Sequence, residues 1–267
     1  MHTAALEEMG LAGEWAYEAI EIAPDDFHRR VRGLPGEGFA GVNVTVPHKV
    51  AALAVATSAS PAAVWIGAAN TLTFENGGIA AENTDAPGII AALPGSPGGR
   101  RALVLGAGGS GRAAVWALRE AGAAVAVWNR TAERAQAVAA ELDVEALAPP
   151  AGTSIALEDF EIVINATTVG LAEANPGSRS GVGADPDSAL ASLKSLPIDA
   201  DGLNASHLLV DLVYGTAETP LAAEARARGA EVVDGLEVLV RQGAASLRIW
   251  TGQEPPIDTM RRAARQR

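Results

Sequence analysis

Two patterns of apolar residues divide the chain. After Pro94, short unbroken apolar runs alternate with longer stretches at helical spacing. Residues 102–105, 124–128, 162–165, 208–213 and 231–233 predict strands, and 112–120, 131–142 and 220–228 predict helices, with Gly122 and Gly229 as stops. Strands that alternate with helices imply a parallel sheet with right-handed crossovers. Before Pro94 the pattern is mixed. Residues 1–10 predict an amphipathic helix, 15–22 a strand, and 25–31 a short helix with Asp25 as its N-cap. Val42 and Val44 alternate with Asn43 and Thr45, the period of a half-buried strand. Pro47 cannot extend that strand and suits the first turn of a helix, which places Lys49 at the helix mouth. Residues 61–66 predict a helix, and 70–75 with 79–82 a hairpin across Asn76-Gly77-Gly78, residues that tolerate positive φ. A helix from Thr84 or Asp85 runs to about Leu93. The loop 94–99 then marks the junction of two halves. Gly, Ser, Pro and Asp dominate 172–204, which reads as loop with one helical turn near 188–193. Leu236, Leu239, Val240, Ala244, Leu247 and Trp250 recur at helical spacing, and a last helix starts near Ile257.

The expected class is α/β with two domains. An N-terminal α/β domain over 1–84 takes back the closing helices, 236–267. A Rossmann-type, doubly wound parallel-sheet domain covers 85–235. Composition narrows the chemistry. A net charge of -12 opposes a nucleic-acid surface, which needs clustered Lys and Arg. No apolar run is long enough to span a membrane. Without cysteine there are no disulfides, thiolate nucleophiles or zinc-thiolate sites, and the chain reads as cytoplasmic. His2, His28, His48 and His207 show no metal-ligand spacing, so no metal is expected.

Gly106-Ala107-Gly108-Gly109-Ser110-Gly111 follows a predicted strand and opens a predicted helix, the context a dinucleotide turn requires. Gly106 permits the tight turn, Gly108 lets backbone approach a pyrophosphate, and Gly111 allows close helix packing. Gly109 and Arg112 lie at the helix start, where N–H donors and the helix dipole favour phosphate. The next strand ends at Asn129-Arg130-Thr131, followed by Arg134. An acid there would bond the ribose 2′-hydroxyl of NAD, whereas arginine attracts a 2′-phosphate. The expected cofactor is therefore NADP.

Three further strings stand in order: Asn43-Val44-Thr45-Val46-Pro47-His48-Lys49, Gly67-Ala68-Ala69-Asn70-Thr71-Leu72, and Asn83-Thr84-Asp85-Ala86-Pro87-Gly88. Together with Asn165-Ala166-Thr167-Thr168-Val169-Gly170, Asp211-Leu212-Val213-Tyr214 and Asp234-Gly235-Leu236 through Gln242, they resemble the shikimate dehydrogenase family. The resemblance covers residues 1–252. It implies NADPH-dependent, reversible reduction of 3-dehydroshikimate to shikimate, on the route to aromatic amino acids. That chemistry needs a cationic or acidic group at the reacting oxygen; Lys49 is the candidate, as proton donor or as electrostatic clamp, and Asp85 the candidate to hold the ammonium and bond a substrate hydroxyl. Asn70, Thr45, Tyr214 and Gln242 would contact substrate. Leu212 and Gly235 would border the nicotinamide, and Thr167 lies where the family's chain passes the cofactor. His48 is expected to be structural.

In the family, a strand and a Ser-x-Ser loop that holds the substrate carboxylate precede the position of Met1. Their absence here implies either a start at an internal methionine or another anchor, and low affinity for the acid. Open alternatives are a quinate/shikimate or aminoshikimate dehydrogenase, and a dinucleotide-binding protein without turnover. The expected partner is a small-molecule substrate, with the protein a monomer or homodimer.

Overall fold

The structure, a computed structural model, describes residues 1–175 and 191–266. Its backbone divides into two compact units, Met1–Ala91 with Leu239–Arg267, and Ala92–Val238. Among the described residues no helix is long and apolar enough to cross a membrane.

The first unit contains α1 (His2–Glu8), α2 (Phe27–Gly33), β1 (Gly41–Asn43), α3 (Lys49–Val55), β2 (Ser58–Ala59), α4 (Pro61–Ile66), β3 (Thr71–Glu75), β4 (Gly78–Glu82) and the start of α5 (Asp85–Ala92). Its sheet has the order β1-β3-β4-β2, antiparallel except for β2 beside β4. The β3–β4 hairpin turns through Asn76 and Gly77, both at positive φ, as the sequence requires. Ser60 caps α4 by accepting from the Ala63 N–H. Phe27, Val31, Val44, Ala52, Leu72 and Ile79 fill the core between helices and sheet.

Two expectations fail in this unit. Residues 15–22 form no strand. A strand is held by its ladder, and among the described residues β1 pairs only with β3. The Tyr17 hydroxyl donates to Asn43 Oδ1 of β1 at 3.0 Å, a side-chain bond and not a ladder bond. A cavity of about 130 Å³ lies there instead, lined by Tyr17, Ile20, Ile22, Phe27, Val42 and Asn43. Nor does Asp25 cap α2: it sits inside a 3-10 turn, Pro24–Asp26, and Asp26 occupies the cap position without a side-chain bond. Pro24 starts that extra turn because its fixed φ suits the first helical position.

The second unit carries β5 (Arg101–Leu105), α6 (Gly109–Glu120), β6 (Ala124–Trp128), α7 (Ala132–Leu142), β7 (Glu145–Leu147), β8 (Ile162–Asn165), α8 (Leu171–Ala174), β9 (Leu208–Asp211), α9 (Pro220–Ala227) and β10 (Glu231–Val233). All six strands are parallel in the order β10-β9-β8-β5-β6-β7. The order reverses at β5, which makes the sheet doubly wound and opens a crevice beyond the C-terminal end of β5. Residues such as Leu103, Leu105, Val163 and Leu209 are buried, so the strands read as continuous apolar runs. Within 172–204, α8 supplies a helical turn where loop was expected. Residues 191–193 are helical, and 188–190 of the expected turn lie outside the described residues.

The long helix α10 (Gly235–Thr251) and α11 (Ile257–Arg265) close the chain. From Leu239 onward α10 belongs to the first unit. Gln242, Ser246 and Trp250, four residues apart and so on one helical face, bond Asn70, Asn43 and the Leu72 carbonyl.

Candidate active site

The first unit gathers Lys49, Asn70, Asp85 and Gln242. Lys49 opens α3 and Asp85 opens α5. The Lys49 Nζ donates to Asp85 Oδ2 at 2.7 Å, and the two side chains are only 12% and 11% exposed. Asn70, 2% exposed, lies beneath them at the start of β3. Its Nδ2 is 3.0 Å from each of Asp85 Oδ1, Thr84 Oγ1 and Gln242 Oε1. An amide carries two N–H donors, so these three acceptors share them. Asn70 Oδ1 accepts from the Thr84 N–H at 2.6 Å. Each oxygen of Asp85 thus has a separate donor, which fixes the carboxylate plane and with it the ammonium.

Close packing brings Gln242 to this cluster. At Gly88 in α5, a Cβ would lie 2.8–2.9 Å from the Cβ and N of Gln242. Only glycine lets the two helices approach so far. Thr71 and Thr84 complete the network through a bond of 3.0 Å between their hydroxyls. Sequence reasoning did not single them out, although each stands beside an expected site residue in one of the motifs. Asn83 accepts from the Ala86 N–H and donates to the Ala68 carbonyl, which pins the start of α5.

Thr45 is exposed at the bend after β1 and lines the small cavity with Tyr17, rather than joining the hydrogen-bonded cluster around Lys49. The His48 Nε2 lies 2.9 Å from the Ile22 carbonyl oxygen and its ring stacks on Phe27 with centroids 4.6 Å apart.

In the second unit the expected cofactor residues follow the C-terminal ends of the parallel strands. Gly106, at φ 112°, turns the chain after β5. A Cβ at Gly111 would collide with the Gly106 carbonyl oxygen, so α6 starts against the turn only because that Cβ is absent. Gly108 caps α6 and Gly109 is its first residue, which aims free-end N–H groups outward. Asn129, after β6, accepts from the Ala107 N–H at 3.1 Å and donates to the Thr131 carbonyl at 3.0 Å. Arg130 and Arg134 are exposed, and no ion pair involving either is found among the described residues. Arg112 differs: it pairs with Glu141 of α7. Thr167 follows β8, with its Oγ1 donating to Asn165 Oδ1 at 2.7 Å. Leu212 follows β9, and Tyr214 beyond it is 42% exposed. Gly235, after β10, begins α10.

Asp211 closes β9 and is buried. Desolvation raises its pKa to about 6, against hydrogen bonds from Thr219, Val213 and Asn165 that lower it. A recess of about 310 Å³ lies at the opposite edge of this sheet, lined by Arg101, Glu145 and Phe160, and holds none of the expected site residues.

A doubly wound parallel sheet with a glycine turn at its switch point, in a chain that also holds a nearly buried ammonium–carboxylate pair, defines a dinucleotide-dependent oxidoreductase. Comparison with known proteins gives the particular family. Residues 1–72 match the shikimate dehydrogenase substrate binding domain, 93–172 the shikimate/quinate 5-dehydrogenase model, and 235–265 the shikimate 5′-dehydrogenase C-terminal domain. A shikimate dehydrogenase (NADP(+)) from Acidiphilium cryptum is 41% identical over 97% of this chain and 87% of its own length. The crystal structure of shikimate 5-dehydrogenase from Thermus thermophilus, in complex with NADP(H) and shikimate, is 40% identical with a TM-score of 0.82, covering 99% of this chain and 92% of that one. A ligand-free 5-ketofructose reductase from a Gluconobacter species is 28% identical with a TM-score of 0.81, covering 98% and 91%. The chain belongs to the shikimate dehydrogenase family.

Proposed function

We propose that this protein is an NADP-dependent shikimate dehydrogenase, interconverting 3-dehydroshikimate and shikimate in aromatic amino-acid biosynthesis. In this reading the first unit binds the substrate and the second the dinucleotide. The bound cofactor supplies or takes up the hydride. The oxygen of the reacting carbonyl then gains negative charge and needs a proton. Lys49 is the group that stabilises that charge and donates the proton. Asp85 orients the ammonium and bonds a neighbouring hydroxyl. Asn70 and Gln242 present amides to the polyol ring, and Thr45 and Tyr214 are assigned as further substrate contacts.

The residues present fit NADP. Gly106 and Gly111 let the turn and the start of α6 pack tightly, Gly108 leaves open space beside the N–H groups of Gly109 and the rest of the helix start, where a pyrophosphate would sit, and Thr167, Leu212 and Gly235 follow the neighbouring strands. Asn129, Arg130, Thr131 and Arg134 end the second strand with two guanidinium groups and no acid, which favours a 2′-phosphate over a bare ribose. Arg112 would join them by exchanging Glu141 for phosphate.

The observation that carries this reading is the 2.7 Å Lys49–Asp85 bond in a family whose relatives bear the name. Purified protein should reduce NADP+ with shikimate, and NAD+ poorly. Preference for quinate or an aminoshikimate over shikimate would reassign the substrate. The Gluconobacter reductase, with a different named substrate on a similar fold, makes that comparison necessary. Stabilisation by NADP+ without any turnover would leave a dinucleotide-binding protein only. We place it in the cytoplasm as a monomer or homodimer, which a mass measurement in solution separates.

A further inference from the structure

The proposed chemistry gives no role to the carboxylate at the end of β9, yet Asp211 is 1% exposed and tied on both sides. Its Oδ1 accepts from Asn165 Nδ2 at 2.9 Å and from the Val213 N–H at 3.1 Å, and its Oδ2 accepts from the Thr219 hydroxyl. Thr219 in turn accepts from the Ala222 N–H at 3.1 Å and caps α9. One side chain therefore closes both ends of the segment 213–219, and Tyr214 lies inside it.

Asn165 extends the tie to a second loop. Its Oδ1 accepts from the Thr167 N–H at 3.2 Å and from the Thr167 hydroxyl at 2.7 Å. The Thr167 oxygen accepts from the Val169 N–H at 3.0 Å. The loops that follow β8 and β9 thus share one anchor. Burying a carboxylate is unfavourable unless donors converge on it, and an apolar residue would fill this volume without that cost. An ionised carboxylate is acceptor-only, and all three groups that meet Asp211 are donors. What it supplies is a fixed direction for each.

We propose that Asp211 is a positioning residue: it sets where Leu212 and Tyr214 are presented to cofactor and substrate, and it acts through them. The role rests on the assignment of Leu212 and Tyr214 as ligand contacts made above.

The test compares Asp211→Ala with Asp211→Asn. Asparagine keeps one oxygen to accept from Asn165 and Val213, and alanine keeps none. With NADP+ saturating, Asp211→Ala should raise KM for shikimate about 10-fold or more, with a smaller change in kcat, because the loop is misplaced rather than the proton donor lost. Asp211→Asn should restore KM to within about 3-fold of the parent. If Asp211 works through Tyr214, adding Tyr214→Phe to Asp211→Ala costs less than Tyr214→Phe costs alone. Hydrogen exchange over 212–219 should accelerate in Asp211→Ala whether or not any substrate turns over. A parent protein without activity would refute the proposed function, while the exchange result would still decide the anchor. Unchanged KM and unchanged exchange in Asp211→Ala overturn the proposal, as does full additivity with Tyr214→Phe. Should Asp211→Ala fail to fold, Asp211→Asn and Thr219→Val, read by the same exchange measurement, decide it.

Discussion

Removing one member of the Lys49–Asp85 pair should destabilise the first unit, and removing both should restore much of the loss. The bond is 2.7 Å long between side chains 12% and 11% exposed, so neither charge is well hydrated. Breaking a buried pair costs about 3–5 kcal/mol because the surviving charge stays behind uncompensated, whereas an exposed pair is worth about 0–1 kcal/mol. Asp85 keeps its bond to Asn70 when the ammonium is lost. Together with the residual exposure, this puts Lys49→Met near about 2–3 kcal/mol. Asp85→Leu strands an ammonium in the same site and should cost about 3–5 kcal/mol. In the double variant two apolar side chains face each other, and stability should return to within about 1 kcal/mol of the parent. Urea unfolding of the four proteins, with hydrogen exchange in β3 and β4 to report on the first unit, measures the cycle. Single losses below about 0.5 kcal/mol, or a double variant as unstable as the two losses added, would refute the reasoning. The restored double variant should remain inactive, which separates the pair's chemistry from its structural role.

Three further outcomes follow from the same geometry. Arg130→Asp replaces an attraction for a 2′-phosphate by a repulsion; a charge-assisted hydrogen bond is worth about 1.5–3 kcal/mol, so the NADP+ over NAD+ ratio of kcat/KM should fall about 10- to 100-fold or more. Gly88→Ala would put a Cβ 2.8–2.9 Å from Gln242 and should both lower the melting temperature and raise KM for shikimate; an unchanged KM would show that Gln242 need not sit against α5. Asp211 has a folded pKa raised from 3.8 to about 6. Its contribution to stability is therefore fully present below pH 3.8 and is lost as pH rises through about 6. At 1.36 kcal/mol per unit the change is about 3 kcal/mol. The stability of the parent relative to Asp211→Asn should decline over that interval, and a flat difference would show that the carboxyl is not desolvated.

Where local chemistry determined structure, the sequence was readable. Pro61 starts α4, Gly122 and Gly229 end helices, and Asn76-Gly77 turns the hairpin, all from nearest neighbours. The parallel strands announced themselves as apolar runs because both faces are covered. The strand β7 was missed: Glu145-Ala146-Leu147 is short and made of residues that favour helix, and only its place beside β6 makes it extended. The opposite error fell on 15–22, an aromatic and aliphatic stretch that reads as a strand but has no ladder partner among the described residues. At the site, the Lys49–Asp85 pairing spans 36 positions and was legible only through the family's motifs. The bonds of Asn70 to Gln242, of Arg112 to Glu141, and of Asp211 to Thr219 depend on how helices and strand ends pack. No local signal encodes them.

The central claim is that the Lys49 ammonium serves the reacting oxygen. Turnover of shikimate by Lys49→Ala, measured with the dissociation constant for NADP+ on the same protein, tests it most directly. The kcat should be lower by about 10²- to 10⁴-fold with cofactor affinity unchanged. A kcat within about 3-fold of the parent would contradict the claim.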